Sequence, residues 1–226
     1  MIYAILLIAI LALVYGPQLW VRYVIQKHSK PLQGMPGTGA ELAQHLIERF
    51  NLEGVTIKET APDQDYYSPA EKLVGLSPEV YHGKSLSAVA IAAHEVGHAI
   101  QYIRQEPISR LRGRYLRHAK TVQNIGIYIL SSIPVLGIVA RSPGLIAIVV
   151  IVGLVTMLAS VACHAMVLPE EYDASFGKAM PILQEGYVPA EYLPAITQVL
   201  KACAFTYVAG ALSDVLSIWR WLALIR

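Results

Sequence analysis

The chain reads as a mainly α membrane protein with three to four transmembrane helices and a small cytoplasmic α+β region. Three observations carry that reading. Of its 226 residues, 55% are hydrophobic and only 15% are charged, well under the roughly 25% charge usual in soluble domains. Apolar runs near the bilayer-spanning length of about 20 helical residues recur at 1–21, 122–140 and 144–166. Polar stretches with capping and turn signals lie between and after them.

The first run, MIYAILLIAILALVYGPQLWV, carries no charge. Its first basic residue, Arg22, follows the apolar stretch, whereas a cleaved secretory signal begins with basic residues. Residues 1–21 are therefore expected to be an uncleaved N-terminal transmembrane helix. Residues 22–120 are polar enough for water. Within them, GMPGTGAELAQHLIERFNLEG predicts a capped amphipathic helix from near Thr38 to before Gly54. The runs GVTIKET and KLVGLS, separated by the turn-rich APDQDYYSPAE, predict a small sheet containing a hairpin. A helix is expected from about Lys84 to Arg104.

After that helix, Arg104, Arg110, Arg112, Arg114, Arg117 and Lys120 face a single acid, Glu106. Residues 121–167 hold two apolar runs joined by the turn sequence RSPG, and so predict a transmembrane hairpin. Residues 168–203 return to water as short helices broken at Pro181 and Pro189. Residues 204–226, interrupted by Asp214 and Arg220 and bearing Trp219 and Trp221, form a membrane or interfacial helix.

Basic residues set the orientation. Arg22, Lys27 and Lys30 follow the first span and the basic run precedes the second, so 22–120 and 168–203 are assigned to the cytoplasm of a multi-pass cell-membrane protein. A net charge of +2, with no block of Lys or Arg alternating with exposed aromatics, argues against nucleic acid as a partner. The lipid bilayer is the partner that the composition demands, and a homo-oligomer or a membrane-protein partner is compatible with it. Cys163 and Cys203 sit in apolar surroundings without CxxC spacing and read as packing residues.

Within AIAAHEVGHAIQYI, residues 90–103, His94, Glu95 and His98 form H-E-x-x-H. Residues four apart share a helix face, so both imidazoles can bind one Zn²⁺, and Glu95 can serve as general base toward a zinc-activated water. Three ionisable groups on so apolar a helix would be costly without partners, and a metal satisfies all three. Ala92, Ala93, Gly97 and Ala99 leave room for another segment to approach. A catalytic zinc usually has a third protein ligand. Residue 104, where an extended motif would carry a third histidine, is arginine. The acidic cluster VLPEEYDAS, 167–175, returns to the same side, with Pro169 suited to a first helical turn and Glu170 and Glu171 at the favourable end of its dipole. His164 is a further candidate ligand. His82 and Tyr207 are candidates for hydrogen bonding to substrate or to the tetrahedral oxyanion.

DQDYYSPAEKLVGLSPEVYHGKSLSAVAIAAHEVGHAIQ followed by LPEEYDAS resembles the YugP family of bacterial membrane neutral zinc metallopeptidases, and the likeness runs along most of the chain. Its layout is similar to the HtpX-type and CAAX-prenyl membrane proteases, gluzincins in which a downstream glutamate is the third zinc ligand. The resemblance implies a zincin-like catalytic region. The family pattern LP-x-E-F-D/N-A-S falls on Leu168, Pro169, Glu171, Tyr172, Asp173, Ala174 and Ser175, which makes Glu171 the ligand and Glu170 a solvated neighbour. HtpX-type enzymes carry, four residues past the ligand, an aspartate that supports a zinc histidine. Ser175 stands there in this chain, so the resemblance leaves that task to Ser175 or Asp173. By the same likeness, KLVGLS is the candidate strand edge that holds peptide.

These readings converge on a membrane-embedded zinc metalloendopeptidase that hydrolyses peptide bonds of membrane or juxtamembrane proteins, with Zn²⁺ as cofactor and its active site facing the cytoplasm. The alternative is a catalytically silent zinc-containing scaffold or adaptor, against which an intact Glu95 argues. A hydrolase of a non-peptide bond is a third reading.

Overall fold

A computed structural model describes residues 2–140 and 142–215. In chain order the helices are α1 (Ile2–Lys27), α2 (Gly39–Arg49), α3 (Pro78–Tyr81), α4 (Leu86–Ile103), α5 (Arg110–Ser131), α6 (Ile133–Ala140), α7 (Pro143–Ala165), α8 (Leu168–Tyr172), α9 (Met180–Ile182) and α10 (Leu193–Val215). Strands β1 (Thr56–Glu59), β2 (Tyr66–Ser68) and β3 (Leu73–Leu76) lie between α2 and α3. The chain is a mainly α membrane protein with a small sheet. Among the described residues, three helical stretches are long and apolar enough to cross a membrane: Pro107–Val139, Pro143–Tyr187 and Ala190–Ser213.

The described residues form two compact units, one built from Leu19–Arg110 and Pro169–Thr206 and the other from the rest. In the latter, glycines let helices α5 and α7 approach closely, as small residues do between membrane helices. A Cβ on Gly153 would meet the Leu130 side chain at 2.5 Å, and one on Gly126 would meet Met157 at 2.9 Å. Ile127, Leu130 and Met157 form the buried cluster, with Ile133 and Val161 packed against it. Across the same pair the Ser160 hydroxyl donates to the Ala119 carbonyl at 2.9 Å. Ile125, Tyr128, Ile138, Ile148, Ile151 and Leu158 point outward, an apolar surface suited to lipid. Helix α5 begins at Arg110 and carries the basic run on its first turns, ahead of the apolar stretch expected from residue 122. The break after Ser131 falls at Pro134, which occupies the start of α6, where a missing amide costs no hydrogen bond.

The other unit is organised around α4. Every residue from Leu86 to Gln101 is buried, the mark of a helix enclosed on all sides. Helices α2 and α3, strands β2 and β3, and the segment after α8 pack against it. Ser85 caps its N-terminus by accepting from the Ala88 amide at 3.1 Å. Helix α2 begins with the expected capping box, in which Thr38 and Glu41 satisfy each other's amides.

The sheet corrects two expectations. Its order is β1-β3-β2, with β1 parallel and β2 antiparallel to β3. The strand in KLVGLS is therefore central, hydrogen-bonded on both sides, and is not an exposed edge. The antiparallel pair joins β3 to Tyr66–Ser68, inside the stretch read as a turn, while GVTIKET reaches β3 in parallel.

Residues 168–184 are continuously helical, so Pro181 does not break the segment. A π-helical stretch, Asp173–Ala179, precedes it, and the Met180 amide reaches five residues back to Ser175. The missing amide of Pro181 falls where this wider turn gives way to α geometry. The break comes at Gly186, whose φ of 107° ends the helix, followed by extended Val188 and Pro189. Helix α10 takes in residues 204–215 of the expected C-terminal helix. Trp219, Arg220 and Trp221 lie outside the described residues.

Candidate metal centre

His94 and His98 stand one turn apart on α4, with ring centroids 4.7 Å apart and planes at 81°. Gly97 lies between them. A Cβ there would come within 2.7 Å of the Ala174 carbonyl oxygen, so glycine is what allows the backbone after α8 to rest against α4. That contact brings Glu171 to the histidines. Pro169 sits in the first turn of α8, with Glu170 and Glu171 beside it.

His94, His98 and Glu171 form a buried group that could hold a metal ion. His98 Nε2 lies 3.2 Å from His94 Nε2 and 3.2 Å from Glu171 Oε2, and His94 Nε2 lies 3.4 Å from the same oxygen. A tetrahedral zinc with ligand distances of about 2.0–2.2 Å sets its ligands about 3.3–3.6 Å apart. Sides of 3.2, 3.2 and 3.4 Å come within about 0.1 Å of that spacing. Burial adds chemistry to geometry: Glu171 is 1% exposed, and a carboxylate removed from water needs a cation.

Hydrogen bonds behind the ligand atoms agree. Ser175 Oγ lies 3.0 Å from His94 Nδ1 and 3.0 Å from the Leu200 carbonyl oxygen. The carbonyl can only accept, so the single hydroxyl proton goes to Leu200 and the serine oxygen accepts from His94 Nδ1–H. The lone pair of His94 is thereby left on Nε2, facing the other two ligand atoms. The position expected to carry a supporting carboxylate thus keeps its contact with the histidine through a hydroxyl.

Glu95 is buried next to His94. Glu170 is 3% exposed, which corrects its reading as a solvated neighbour: its carbonyl accepts from buried Gln101 on α4, and the stretch that follows α8 packs against that helix. Asp173 accepts from the Gln101 side chain at 2.8 Å and pairs with Lys178 at 3.2 Å. His82 follows α3 and faces Glu59 at 3.2 Å with an exposed ring. It lines an open cavity of about 620 Å³ together with Glu41, His45, Glu48 and Tyr81. Tyr207 belongs to the other unit, where Arg112 lies over its ring at 5.3 Å. His164 Nδ1 turns back onto the Ser160 carbonyl of its own helix at 2.9 Å. Gln101 was not singled out by sequence. Its only signal was a polar amide one turn past His98 on an otherwise apolar helix.

A helical membrane protein with a buried two-histidine, one-carboxylate group is the class that fold and site define. The model of a family described as "Putative neutral zinc metallopeptidase" matches residues 3–226. The chain is 32% identical over 223 residues to "Putative membrane protease YugP" of Bacillus subtilis (strain 168), a match covering 98% of this chain and 95% of that protein. No solved structure matches it. The chain belongs to this neutral zinc metallopeptidase family.

Proposed function

We propose that the protein is a membrane-embedded zinc endopeptidase in which His94, His98 and Glu171 hold Zn²⁺ and Glu95 is the general base. The observation that carries this reading is the buried triangle of ligand atoms with a glutamate adjacent to it on the same helix. When bound, zinc supplies Lewis acidity that lowers the pKa of water toward about 7 and polarises the scissile carbonyl. Glu95 takes a proton from the attacking water. It then delivers that proton to the amide nitrogen as the C–N bond breaks, so the water oxygen ends in the new carboxyl group, whose remaining proton passes to the amine to give a carboxylate and an ammonium. Ser175 holds the proton of His94 on Nδ1 throughout.

The basic residues at 22–30 and 104–120 support a cytoplasmic position for residues 22–120 and 168–203, between a span at 1–21 and a hairpin at 121–167. Flanking apolar helices in the sequence favour membrane or juxtamembrane proteins as substrates. A thiol introduced by Glu71→Cys in a Cys163→Ala/Cys203→Ala background tests the orientation. An impermeant maleimide is expected to label it in inverted vesicles and not in intact cells; labelling only in intact cells would reverse the topology.

The chemistry is tested on purified full-length protein by metal analysis and cleavage of an unfolded model protein. Glu95→Gln is expected to retain zinc and lose about 10²–10⁴-fold in rate. Full activity in that variant would refute the mechanism. Glu171→Ala is expected to lose zinc, and undiminished affinity would move the third ligand elsewhere.

A further inference from the structure

Gln101 lies on α4 three residues past His98 and has no exposed surface. A long amide side chain at such a position is costly unless all its polar atoms are met. Here they are. Its Nε2 donates to the Glu170 carbonyl at 3.0 Å and to Asp173 Oδ2 at 2.8 Å, and its Oε1 lies 3.0 Å from His98 Nδ1. Both partners of the nitrogen can only accept, so the amide has one satisfactory orientation, with its oxygen toward the imidazole. His98 must then carry its proton on Nδ1 and present a lone pair at Nε2, the atom that faces His94 and Glu171.

Asp173 is itself held. Lys178 Nζ sits 3.2 Å from Asp173 Oδ2 and 3.0 Å from Glu106 Oε2, tying the π-helical stretch to the chain just beyond α4. Gly177 leaves the space that Asp173 occupies: a Cβ there would fall 2.2 Å from Asp173 Oδ1. The line His98, Gln101, Asp173, Lys178, Glu106 alternates donor and acceptor at each step.

We propose that Gln101 is a positioning residue that sets the tautomer and direction of His98 for the metal, with Asp173 and the Lys178–Glu106 pair fixing the orientation of its amide. The proposal rests on the zinc reading above. Partners behind a metal-bound histidine commonly change metal affinity by about 10–100-fold. Gln101→Leu removes the acceptor while keeping the bulk. Gly177→Ala displaces Asp173 from a distance, and as a glycine-to-alanine change in a helix it does not weaken the helix itself.

The test uses full-length protein. Zinc affinity is read by competition with a chromophoric chelator, ligand geometry by the visible spectrum of the Co²⁺ form, and folding by thermal unfolding of the metal-free protein. Expected are a loss of about 10–100-fold in zinc affinity for Gln101→Leu, an altered Co²⁺ spectrum, and a loss in the same direction for Gly177→Ala. Gln101→Leu that binds zinc as tightly as wild type with an unchanged Co²⁺ spectrum overturns the positioning role alone. Gly177→Ala that binds zinc as tightly as wild type overturns the part given to Asp173. Wild type that takes up no zinc overturns the metal site and this proposal together.

Discussion

Gly97 and Ala174 meet backbone to backbone, with room for no side chain between them: a Cβ on the glycine would stand 2.7 Å from the Ala174 carbonyl oxygen. Both distances to Glu171 depend on this contact, because His94 and His98 are on one side of it and Glu171 on the other. Gly97→Ala is expected to push the segments apart, costing about 1–3 kcal/mol of stability and enlarging the ligand triangle. Thermal unfolding and chelator competition on the same sample check it. The zinc affinity should fall by more than the lost stability explains. Wild-type affinity in a folded Gly97→Ala protein would show that the contact does not set the site.

Ser175 offers a second lever. Its hydroxyl is the acceptor for His94 Nδ1–H and the donor to Leu200, so Ser175→Ala removes the acceptor of buried His94 Nδ1–H and one of the bonds to the Leu200 carbonyl. The expected cost is about 1–3 kcal/mol in stability and about 10–100-fold in zinc affinity. Calorimetric zinc titration of the metal-free variant measures the second quantity. Loss of stability with unaltered zinc binding would assign Ser175 to packing alone.

These two residues mark the boundary of what the sequence discloses. His94 and His98 are legible because helical periodicity is local and an i, i+4 pair leaves few other uses for two imidazoles on an apolar helix. The membrane helices are legible because the bilayer demands long uninterrupted apolar runs. Strand order is not local. Leu73–Leu76 acquires neighbours on both sides through contacts with Thr56–Glu59 and Tyr66–Ser68 that no periodicity encodes, and Gly75 makes room for Thr60 and the Tyr66 ring. Gln101 was missed because an amide has no chemistry of its own to announce; its importance arises only once Glu170 and Asp173 are folded onto it. The burial of Glu170 likewise follows from the packing of the segment after α8 on α4.

Metal removal should be visible as lost stability. Zinc that binds only the folded chain stabilises it by RT ln(1 + [Zn]/Kd), about 4 kcal/mol at a thousandfold excess over Kd. A strong chelator is therefore expected to lower the unfolding temperature of the wild type in detergent, and zinc in excess of the chelator to restore it. Glu171→Ala should respond far less to either addition. An equal response in that variant would locate the stabilising ion away from Glu171.

Asp65 gives the fold a pH dependence remote from the ligands. Its carboxylate anchors the junction between β3 and α3 by accepting from the Ser77 amide at 2.7 Å and the Ser77 hydroxyl at 3.1 Å. Burial pushes its pKa above the usual carboxylate range, outweighing the lowering effect of those hydrogen bonds, and the nearby charges of Glu79 and Asp63 push the same way. The folded state thus holds the Asp65 proton more tightly than the unfolded state, whose value is about 3.9. Linkage then fixes the sign: this group's stabilisation is fully present below the unfolded pKa and is lost as pH rises through the folded one. Asp65→Asn keeps an acceptor for the Ser77 amide and removes the titration. Unfolding temperatures of metal-free protein from pH 3.5 to 7 are expected to show the variant gaining on the wild type as pH rises. A difference that stays constant across the range, or one that grows toward acid, would contradict a raised Asp65 pKa.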